Sequence, residues 1–244
     1  MSAIVWLEQQ DAFPSPRFFV PDDPQLPEGL IALSANIDAQ RLLDAYRLGI
    51  FPWYNAGQPV MWWCTSPRMV LPTKEFKVSR SLRKTIKQII TNPVWEIRVD
   101  TCFREVMTAC SASKRYGQDG TWITSEIIDA YCALHAQGIA HSVEVWHNNI
   151  LVGGLYGVNL GQMFFGESMF TRVTDASKIA LCALCQWCSS VHIELIDCQQ
   201  ETQHLASLGA YPIPKTVFLN WLEEHIDLNP PQWNWNKTVL SAYN

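Results

Sequence analysis

The sequence predicts an α+β protein with a small N-terminal domain over residues 1–70 and a larger C-terminal domain over residues 71–244. Two observations lead to this prediction. From about residue 70 onward, segments with helical periodicity alternate with short apolar segments that are typical of strands. Before that point, prolines divide the chain into extended pieces around one helix candidate. The hydrophobic content of 48% over 244 residues is sufficient for a sizeable core, and the charged content of 17% argues against global disorder.

The N-terminal domain combines the helix candidate with an aromatic loop. The helix is AQRLLDAYRLG, with Asp38 as the N-cap and Gly49 at its end. The loop, GIFPWYNAGQPVMWWCTSPRMVL, holds more aromatic residues than an ordinary loop does. These residues either plug the joint between the two domains or line an apolar ligand pocket. Composition alone favours the plug, and the pocket becomes attractive if the loop faces Glu167 and Gln199.

The segment VSRSLRKTIKQIITN predicts a short helix with Ser79 or Ser81 as its N-cap. It is the most basic stretch of an acidic chain, whose net charge is −5. Four cations fall on one helical face, namely Arg80, Arg83, Lys84 and Lys87. A solvated face is the default interpretation, and contact with a phosphate backbone is the sharper one.

The middle of the chain predicts a strand, two helices and a hairpin. The strand covers Trp95–Val99, and the first helix runs from Thr101 to Ala112. The segment TWITSEIIDAYCALHAQG predicts an amphipathic helix, because its apolar residues repeat at spacings of four and three. In HSVEVWHNNILVGGLYGV, the pair Asn148-Asn149 indicates the turn of a hairpin.

Carboxylates and an amide follow two apolar strands between residues 151 and 199. This stretch predicts two strands joined by a turn at 159–161, a helix that opens near Asp175 or Ser177, and a buried strand over 193–198. Glu167 follows the second strand, and Asp197 and Gln199 end the third. In an extended strand, the side chains of Asp197 and Gln199 leave on the same face. A charge at such a position costs free energy unless it is paired or used, so Glu167, Asp197 and Gln199 are the candidate catalytic residues. For Asp197 alone a turn cap, and for Glu167 alone a pair with Arg172, are equally acceptable interpretations.

Several classes of function lack support in the sequence. No apolar run approaches the ~20 residues that a membrane span needs, and the N-terminus lacks the pattern of a secretory signal. Cys182, Cys185 and Cys188 are spaced three apart in a helical segment, which favours small buried residues over a metal site, so we expect no metal. Nucleotide-binding and hydrolase motifs are absent as well.

The order of elements in the C-terminal domain resembles the architecture of the GNAT N-acetyltransferases. Most members of that superfamily use acetyl-CoA, whose pyrophosphate is held by a Gly-rich turn before a helix. Here the corresponding segment reads TRVTDASKIAL and contains no glycine. If the C-terminal domain is GNAT-like, acetyl-CoA is therefore the wrong donor.

Motifs along nearly the whole chain are together similar to those of one family. They are GIFPWY, the double Trp followed by SPR, VSRSLRK, TWIT, AYCALHAQGIAHSVEVW, LVGGLYGV, GESMF, ASKIAL, LIDCQ and SLGAYPIPK. In this order they resemble the leucyl/phenylalanyl-tRNA–protein transferases, from about Phe13 to about Leu222.

The resemblance implies a cytosolic bacterial enzyme of the N-end rule pathway. Such an enzyme moves leucine or phenylalanine, less often methionine, from leucyl-tRNA or phenylalanyl-tRNA to a protein that begins with Arg or Lys. No metal or nucleotide cofactor is implied, and a monomer is the default expectation. Glu167, Asp197 and Gln199 match the family's polar catalytic positions. By the same similarity, the donor side chain enters a pocket formed by Tyr46, Trp53, Trp122, Phe164, Leu181 and Ile196.

A mechanism follows as a hypothesis. Asp197 orients the Gln199 amide, whose carbonyl accepts a hydrogen from the attacking amine, and Glu167 binds the cationic acceptor end. The basic helix face of Arg80, Arg83, Lys84 and Lys87 contacts the phosphates of the acceptor stem. Two other functions remain open at this point: an N-acetyltransferase that uses acetyl-CoA, and a noncatalytic module that binds peptides in the aromatic loop.

Overall fold

The computed structural model describes residues 5–19, 26–113 and 121–243. Its strands are β1 (Trp6–Leu7), β2 (Leu30–Ser34), β3 (Phe51–Pro52), β4 (Val60–Trp63), β5 (Arg68–Pro72), β6 (Trp95–Val99), β7 (Ala140–His147), β8 (Ile150–Leu160), β9 (Met163–Thr171), β10 (Leu195–Gln199) and β11 (Tyr211–Ile213). Its α-helices are α1 (Ala39–Arg47), α2 (Arg80–Thr91), α3 (Phe103–Ser111), α4 (Ser125–Ala136), α5 (Ala176–Ser190), α6 (Gln203–Ser207) and α7 (Lys215–His225). Short 3-10 helices cover Thr73–Glu75 and Lys237–Tyr243.

The strands form two sheets, which confirms the α+β class. The first sheet has the order β1-β2-β4-β3, and the second has the order β11-β5-β10-β9-β8-β7-β6. In the second sheet, β9 and β10 are parallel, while their other pairings are antiparallel. This arrangement places the middle of β9, which contains Glu167, near the end of β10, where Gln199 lies. The sequence predicted that Glu167 follows this strand, but β9 continues to Thr171, so that prediction is wrong. The first sheet is built from residues 6–63, and β5 at residue 68 already belongs to the second.

Local signals in the sequence set several element ends. The Asp38 side chain accepts a hydrogen bond from the Arg41 backbone N–H and caps α1. Of the two predicted caps for α2, Ser79 is the one that accepts, from Leu82 N–H at 3.2 Å. Asn148 and Asn149 have φ values of 51° and 58°, as the tight turn of the β7–β8 hairpin requires.

The buried side chains form clusters on both faces of the second sheet. One cluster joins the N-terminal sheet, α1, α3 and α4 to the large sheet, and Tyr46, Tyr131, Tyr156 and Phe165 lie within it. The other packs α2 and α5 against the opposite face. In the described part of the chain, no helix has both the length and the apolar character needed to cross a bilayer.

Candidate active site

Glu167 lies within β9, in a β-bulge of the ladder between β8 and β9. Tyr156 pairs with Ser168, whereas Gly157 pairs with Gly166, so Glu167 is the extra residue between them. A bulge redirects the side chain of the inserted residue relative to a regular strand. Gly157 permits the close approach of the strands there, since a Cβ on this residue would overlap the carbonyl oxygen of Phe165. The irregular ladder therefore aims Glu167 into the cavity described below.

Gln199 ends β10 in a conformation that the sequence did not predict. Its φ is +56°, and the register between β10 and β5 shifts between Asp197 and Gln199. The prediction that both side chains leave one face of an extended strand is wrong in its premise, because the strand is not extended at Gln199. A non-glycine residue in the left-handed region is uncommon and is held there by its surroundings. Here the Asp197 carboxylate accepts the backbone N–H of Gln199 at 2.9 Å.

Asp197 is paired with an arginine that the sequence analysis did not single out. Arg68 donates to both carboxylate oxygens, from Nε at 2.8 Å and from Nη2 at 2.6 Å. Both side chains have 0% exposure. The guanidinium also lies over the rings of Phe51 and Phe218, at 4.8 and 4.5 Å from their centroids. Asp197 therefore acts on Gln199 through the backbone, and its charge is compensated by Arg68.

The Glu167 carboxylate is the acceptor of a compact hydrogen-bond network. Tyr46 Oη donates to it at 2.5 Å, Gln199 Nε2 at 2.8 Å and Tyr131 Oη at 3.2 Å. The two tyrosine hydroxyls are also 2.5 Å apart. Burial raises the pKa of both tyrosines well above its ordinary value, with a further contribution from the charge of Glu167, so they remain neutral donors. The contact with Arg172 that the sequence allowed is not made; Arg172 donates to the Leu151 carbonyl instead.

Burial raises the pKa of Glu167 to about 7. The hydrogen bonds from Tyr46 and Tyr131 oppose this shift, because they stabilise the ionised form. The charge of Asp197 raises the pKa further, and the charge of Arg68 lowers it. Glu167 therefore changes charge close to neutral pH.

Two adjoining cavities meet at Glu167 and Gln199. The inner cavity is mostly apolar and includes Phe164, Leu181 and Ile196 in its lining. The outer cavity is lined by Trp53 and Trp122 together with Phe51, Thr202 and His204. Both cavities share Glu167 and Gln199. Of the predicted pocket residues, only Tyr46 lines neither cavity. Its side chain is fully buried and instead donates a hydrogen bond to Glu167.

The aromatic loop contributes some residues to the outer cavity, as one of the two interpretations of the sequence expected, and others to the core. Trp62 is fully buried and packs edge-on against Phe13 at 5.0 Å, as a core residue does. Trp53 instead faces the outer cavity and packs against Trp63 at 6.0 Å. The loop therefore fills the core on one side and lines the cavity on the other.

The basic face of α2 is exposed on a surface of its own. The side chains of Arg80, Arg83, Lys84 and Lys87 line a shallow depression there. The opposite face packs inward through Leu82, Ile86 and Ile89. The geometry therefore leaves four cations available for an anionic partner.

The cysteines of α5 have the environment of core residues. Cys182, Cys185 and Cys188 are all 0% exposed, and burial raises the pKa of each thiol. Within the described residues, no group of three or more His, Cys, Asp or Glu side chains is arranged to hold a metal ion.

Comparison with known proteins identifies a single family. Residues 70–223 match the family described as leucyl/phenylalanyl-tRNA protein transferase, and residues 35–66 match the family described as its N-terminal domain. The chain is 53% identical over 241 residues to the leucyl/phenylalanyl-tRNA–protein transferase of Ralstonia pickettii, covering 98% of this chain and 97% of that protein. Identity to the protein of the same name from Cupriavidus pinatubonensis is 57% over 242 residues, covering 98% and 96%.

A solved structure of a conserved protein of unknown function from Bacteroides thetaiotaomicron is 11% identical and covers 72% of this chain and 63% of its own. Its TM-score of 0.40 is too low to establish a shared fold.

Proposed function

Because this chain belongs to the leucyl/phenylalanyl-tRNA protein transferase family, we propose that it transfers leucine or phenylalanine, less often methionine, from aminoacyl-tRNA to the N-terminus of proteins. The acceptors begin with Arg or Lys. One observation carries the proposal: an apolar cavity for a donor side chain opens beside Glu167 and Gln199, and a second cavity reaches the same two residues from outside.

The proposed reaction needs little from the enzyme other than the positioning of its two reactants. The nitrogen of the acceptor's α-amino group attacks the ester carbonyl, the C–N bond forms, and the C–O bond to the tRNA ribose breaks. The amine loses a proton and the ribose hydroxyl gains one, so the reaction is balanced without a cofactor. The ester is already activated, and an α-amino group with a pKa near 8 is roughly 10% neutral at pH 7. Orientation of the two reactants can therefore supply much of the rate.

Gln199 is the residue that orients the amine. Its Nε2 donates to Glu167, which fixes the amide so that Oε1 is the end available as an acceptor. In the proposed mechanism, Oε1 accepts a hydrogen from the attacking amine. Asp197 holds the Gln199 backbone and does not contact its amide, so its role is that of a positioning residue. This modifies the hypothesis that Asp197 orients the Gln199 side chain directly.

Glu167 is proposed to bind the positively charged end of the acceptor. Its ionised form suits a cation, and the approach of that cation favours ionisation of a carboxyl whose pKa lies at about 7. Tyr46 and Tyr131 hold the carboxylate in place from the buried side.

The inner cavity is proposed to select the donor by shape. Phe164, Leu181 and Ile196 form an apolar wall that suits leucine or phenylalanine, while Trp53 and Trp122 cover the approach. A β-branched side chain such as isoleucine meets these walls closer to its backbone, and a misfit of this kind costs ~1–3 kcal/mol.

The exposed cations of α2 are proposed to contact the phosphates of the tRNA acceptor stem. Arg80, Arg83, Lys84 and Lys87 would give weak, sequence-tolerant binding that falls as salt concentration rises. The amino acid itself enters the cavity, so the contact with α2 serves mainly to position the aminoacylated end of the tRNA.

Further parts of the proposal concern architecture and setting. We propose that the second sheet and its helices, predicted over residues 71–244 and beginning with β5 at Arg68, form a GNAT-like catalytic domain, since α5 follows β9 and leads into the parallel strand β10. The preceding part of the chain, predicted over residues 1–70, is proposed to form a small domain. We further propose that the protein acts as a cytoplasmic monomer and marks its products for degradation by the N-end rule pathway.

The test is transfer of radiolabelled leucine from tRNA to a peptide that begins with Arg. We expect a labelled peptide with a new N-terminal leucine, and little label on the same peptide with an acetylated N-terminus. Binding of the peptide without any transfer would favour a noncatalytic module. Stabilisation by acetyl-CoA with acetylated product would favour an N-acetyltransferase.

A further inference from the structure

The C-terminal segment after α7 reaches the back of the inner cavity through Trp233. This tryptophan packs against Phe164, with ring centroids 5.6 Å apart, and Phe164 is one of the residues that line the cavity. Trp233 itself does not line the cavity. It lies behind a wall residue, where it can set the position of that wall without touching a donor.

Trp233 is firmly fixed by its other contacts. Its ring stacks on His141 at 4.0 Å with an interplanar angle of 4°, and it packs against Trp187 at 4.2 Å. Its Nε1 donates to Asn159 Oδ1 at 2.9 Å. Asn159 is the residue that pairs with Phe164 in the β8–β9 ladder. The indole is therefore tied to the same strand pair that carries the wall residue.

Phe164 has little freedom to move toward its other neighbours. It is 0% exposed, and a Cβ on Gly157 would overlap its ring, so the ring already lies directly over the Gly157 backbone. Protein interiors are close-packed, and the side chains around a vacated space relax partially into it. Apart from the inner cavity, which Phe164 lines, the Trp233 indole is thus the neighbouring group whose removal opens space for the Phe164 ring.

We propose that Trp233 is a specificity-determining positioning residue, which fixes the depth of the inner cavity through Phe164 and so sets the relative use of leucine and phenylalanine as donors. The inference rests on the proposed function. Removal of the indole lets Phe164 withdraw and enlarges the cavity. The larger phenylalanine then gains room, while leucine loses contacts with the wall.

The experiment compares Trp233→Leu with Trp235→Leu in the full chain. Trp235 is the matched control: it is in the same segment and packs against Trp187 at 5.5 Å and Trp233 at 6.3 Å, but within the described residues it makes no ring contact with Phe164. Leucyl-tRNA and phenylalanyl-tRNA are supplied separately, with an Arg-starting peptide as acceptor. The measured quantity is the ratio of kcat/KM for phenylalanine to that for leucine.

We expect W233L to raise this ratio about three- to ten-fold, and W235L to leave it unchanged. An equal loss for both donors in W233L, or the same change of ratio in W235L, would overturn the inference. If W233L lacks the circular dichroism spectrum of the folded protein, Trp233→Phe replaces it, with an expected shift of about two-fold, and an unchanged ratio again overturns the inference. Complete absence of transfer by the unaltered protein would overturn the proposed function, which is a separate result.

Discussion

Replacement of Arg68 by Met isolates the role of the buried pair beneath Gln199. Arg68 and Asp197 have 0% exposure and are joined by hydrogen bonds of 2.8 and 2.6 Å. Loss of one partner from such a pair leaves an uncompensated buried charge, so we expect Arg68→Met to lower the free energy of unfolding by about 3–5 kcal/mol. The exposed Arg104–Asp129 pair is the matched control, and Arg104→Met should cost less than about 1 kcal/mol.

The double variant Arg68→Met/Asp197→Asn restores charge balance. A methionine suits the space between Phe51 and Phe218, and the side-chain carbonyl of the introduced asparagine can still accept the Gln199 N–H. We therefore expect the double variant to cost about 1–2 kcal/mol, less than Arg68→Met alone. Urea unfolding followed by tryptophan fluorescence measures both values. Asp197→Asn is measured alone as well. If the stability costs of Arg68→Met and Asp197→Asn simply add up in the double variant, the pair is not coupled and this explanation is wrong.

The same double variant separates positioning from proton transfer. A residue that takes a proton in the reaction contributes about 10²–10⁴-fold to the rate. If Asp197 only holds the Gln199 backbone, single-turnover transfer by the double variant should stay within about ten-fold of the original. A loss of about 10³-fold in a folded double variant would show that the carboxylate itself takes part in the chemistry.

Three further predictions concern the site and the tRNA surface. Gln199→Ala should reduce single-turnover transfer roughly 100-fold while the protein remains folded, and unchanged transfer would remove Gln199 from the mechanism. The folded-state pKa of Glu167, at about 7, lies above its unfolded value, so its contribution to stability is fully present below about pH 4.5 and is lost as pH rises through about 7. Between pH 5 and pH 9, the free energy of unfolding of the original protein should therefore fall by roughly 1–3 kcal/mol more than that of Glu167→Gln. Parallel curves of this free energy against pH would contradict the raised pKa. Arg83→Glu/Lys84→Glu should raise the KM for aminoacyl-tRNA and flatten its dependence on salt, whereas Arg47→Glu/Lys74→Glu, with an equal change in net charge, should not; equal effects would indicate a general charge effect.

The sequence predicted the elements around the site better than the site's internal geometry. Asp38, Ser79 and the Asn148-Asn149 turn act locally, so their effects follow from a few neighbouring residues. Trp53 and Trp122 were assigned by resemblance to a family, and the structure places both on a cavity that includes Glu167 and Gln199. The caps and the turn depend on short local motifs, and the pocket residues were assigned from motifs along the whole chain. Both kinds of motif can be read from a sequence.

The partners of the polar groups could not be predicted in the same way. Arg68 and Asp197 are 129 residues apart, and Tyr131 and Glu167 are 36 apart, so no local pattern connects them. One signal was available for Arg68: it is a single charge at the start of the apolar segment RMVLP, and a buried charge needs a partner. The same rule applies to Glu144, which is fully buried and accepts the backbone N–H groups of Thr101 and Cys102 before α3.

Two irregularities of the sheet explain how a site forms between the middle of β9 and the end of β10. Regular strands would alternate their side chains, and the bulge at Glu167 and the left-handed Gln199 each break that alternation once. The breaks allow Gln199 Nε2 and the Glu167 carboxylate to meet at 2.8 Å. The nearby Arg68–Asp197 pair is fully buried, and its two opposite charges compensate each other. Since the tyrosines beside it remain protonated, Glu167 is the group of this network that titrates near pH 7. In the proposed function, the ionised carboxylate and a cationic acceptor favour each other, because the carboxyl group has a pKa of about 7 and each charge stabilises the other.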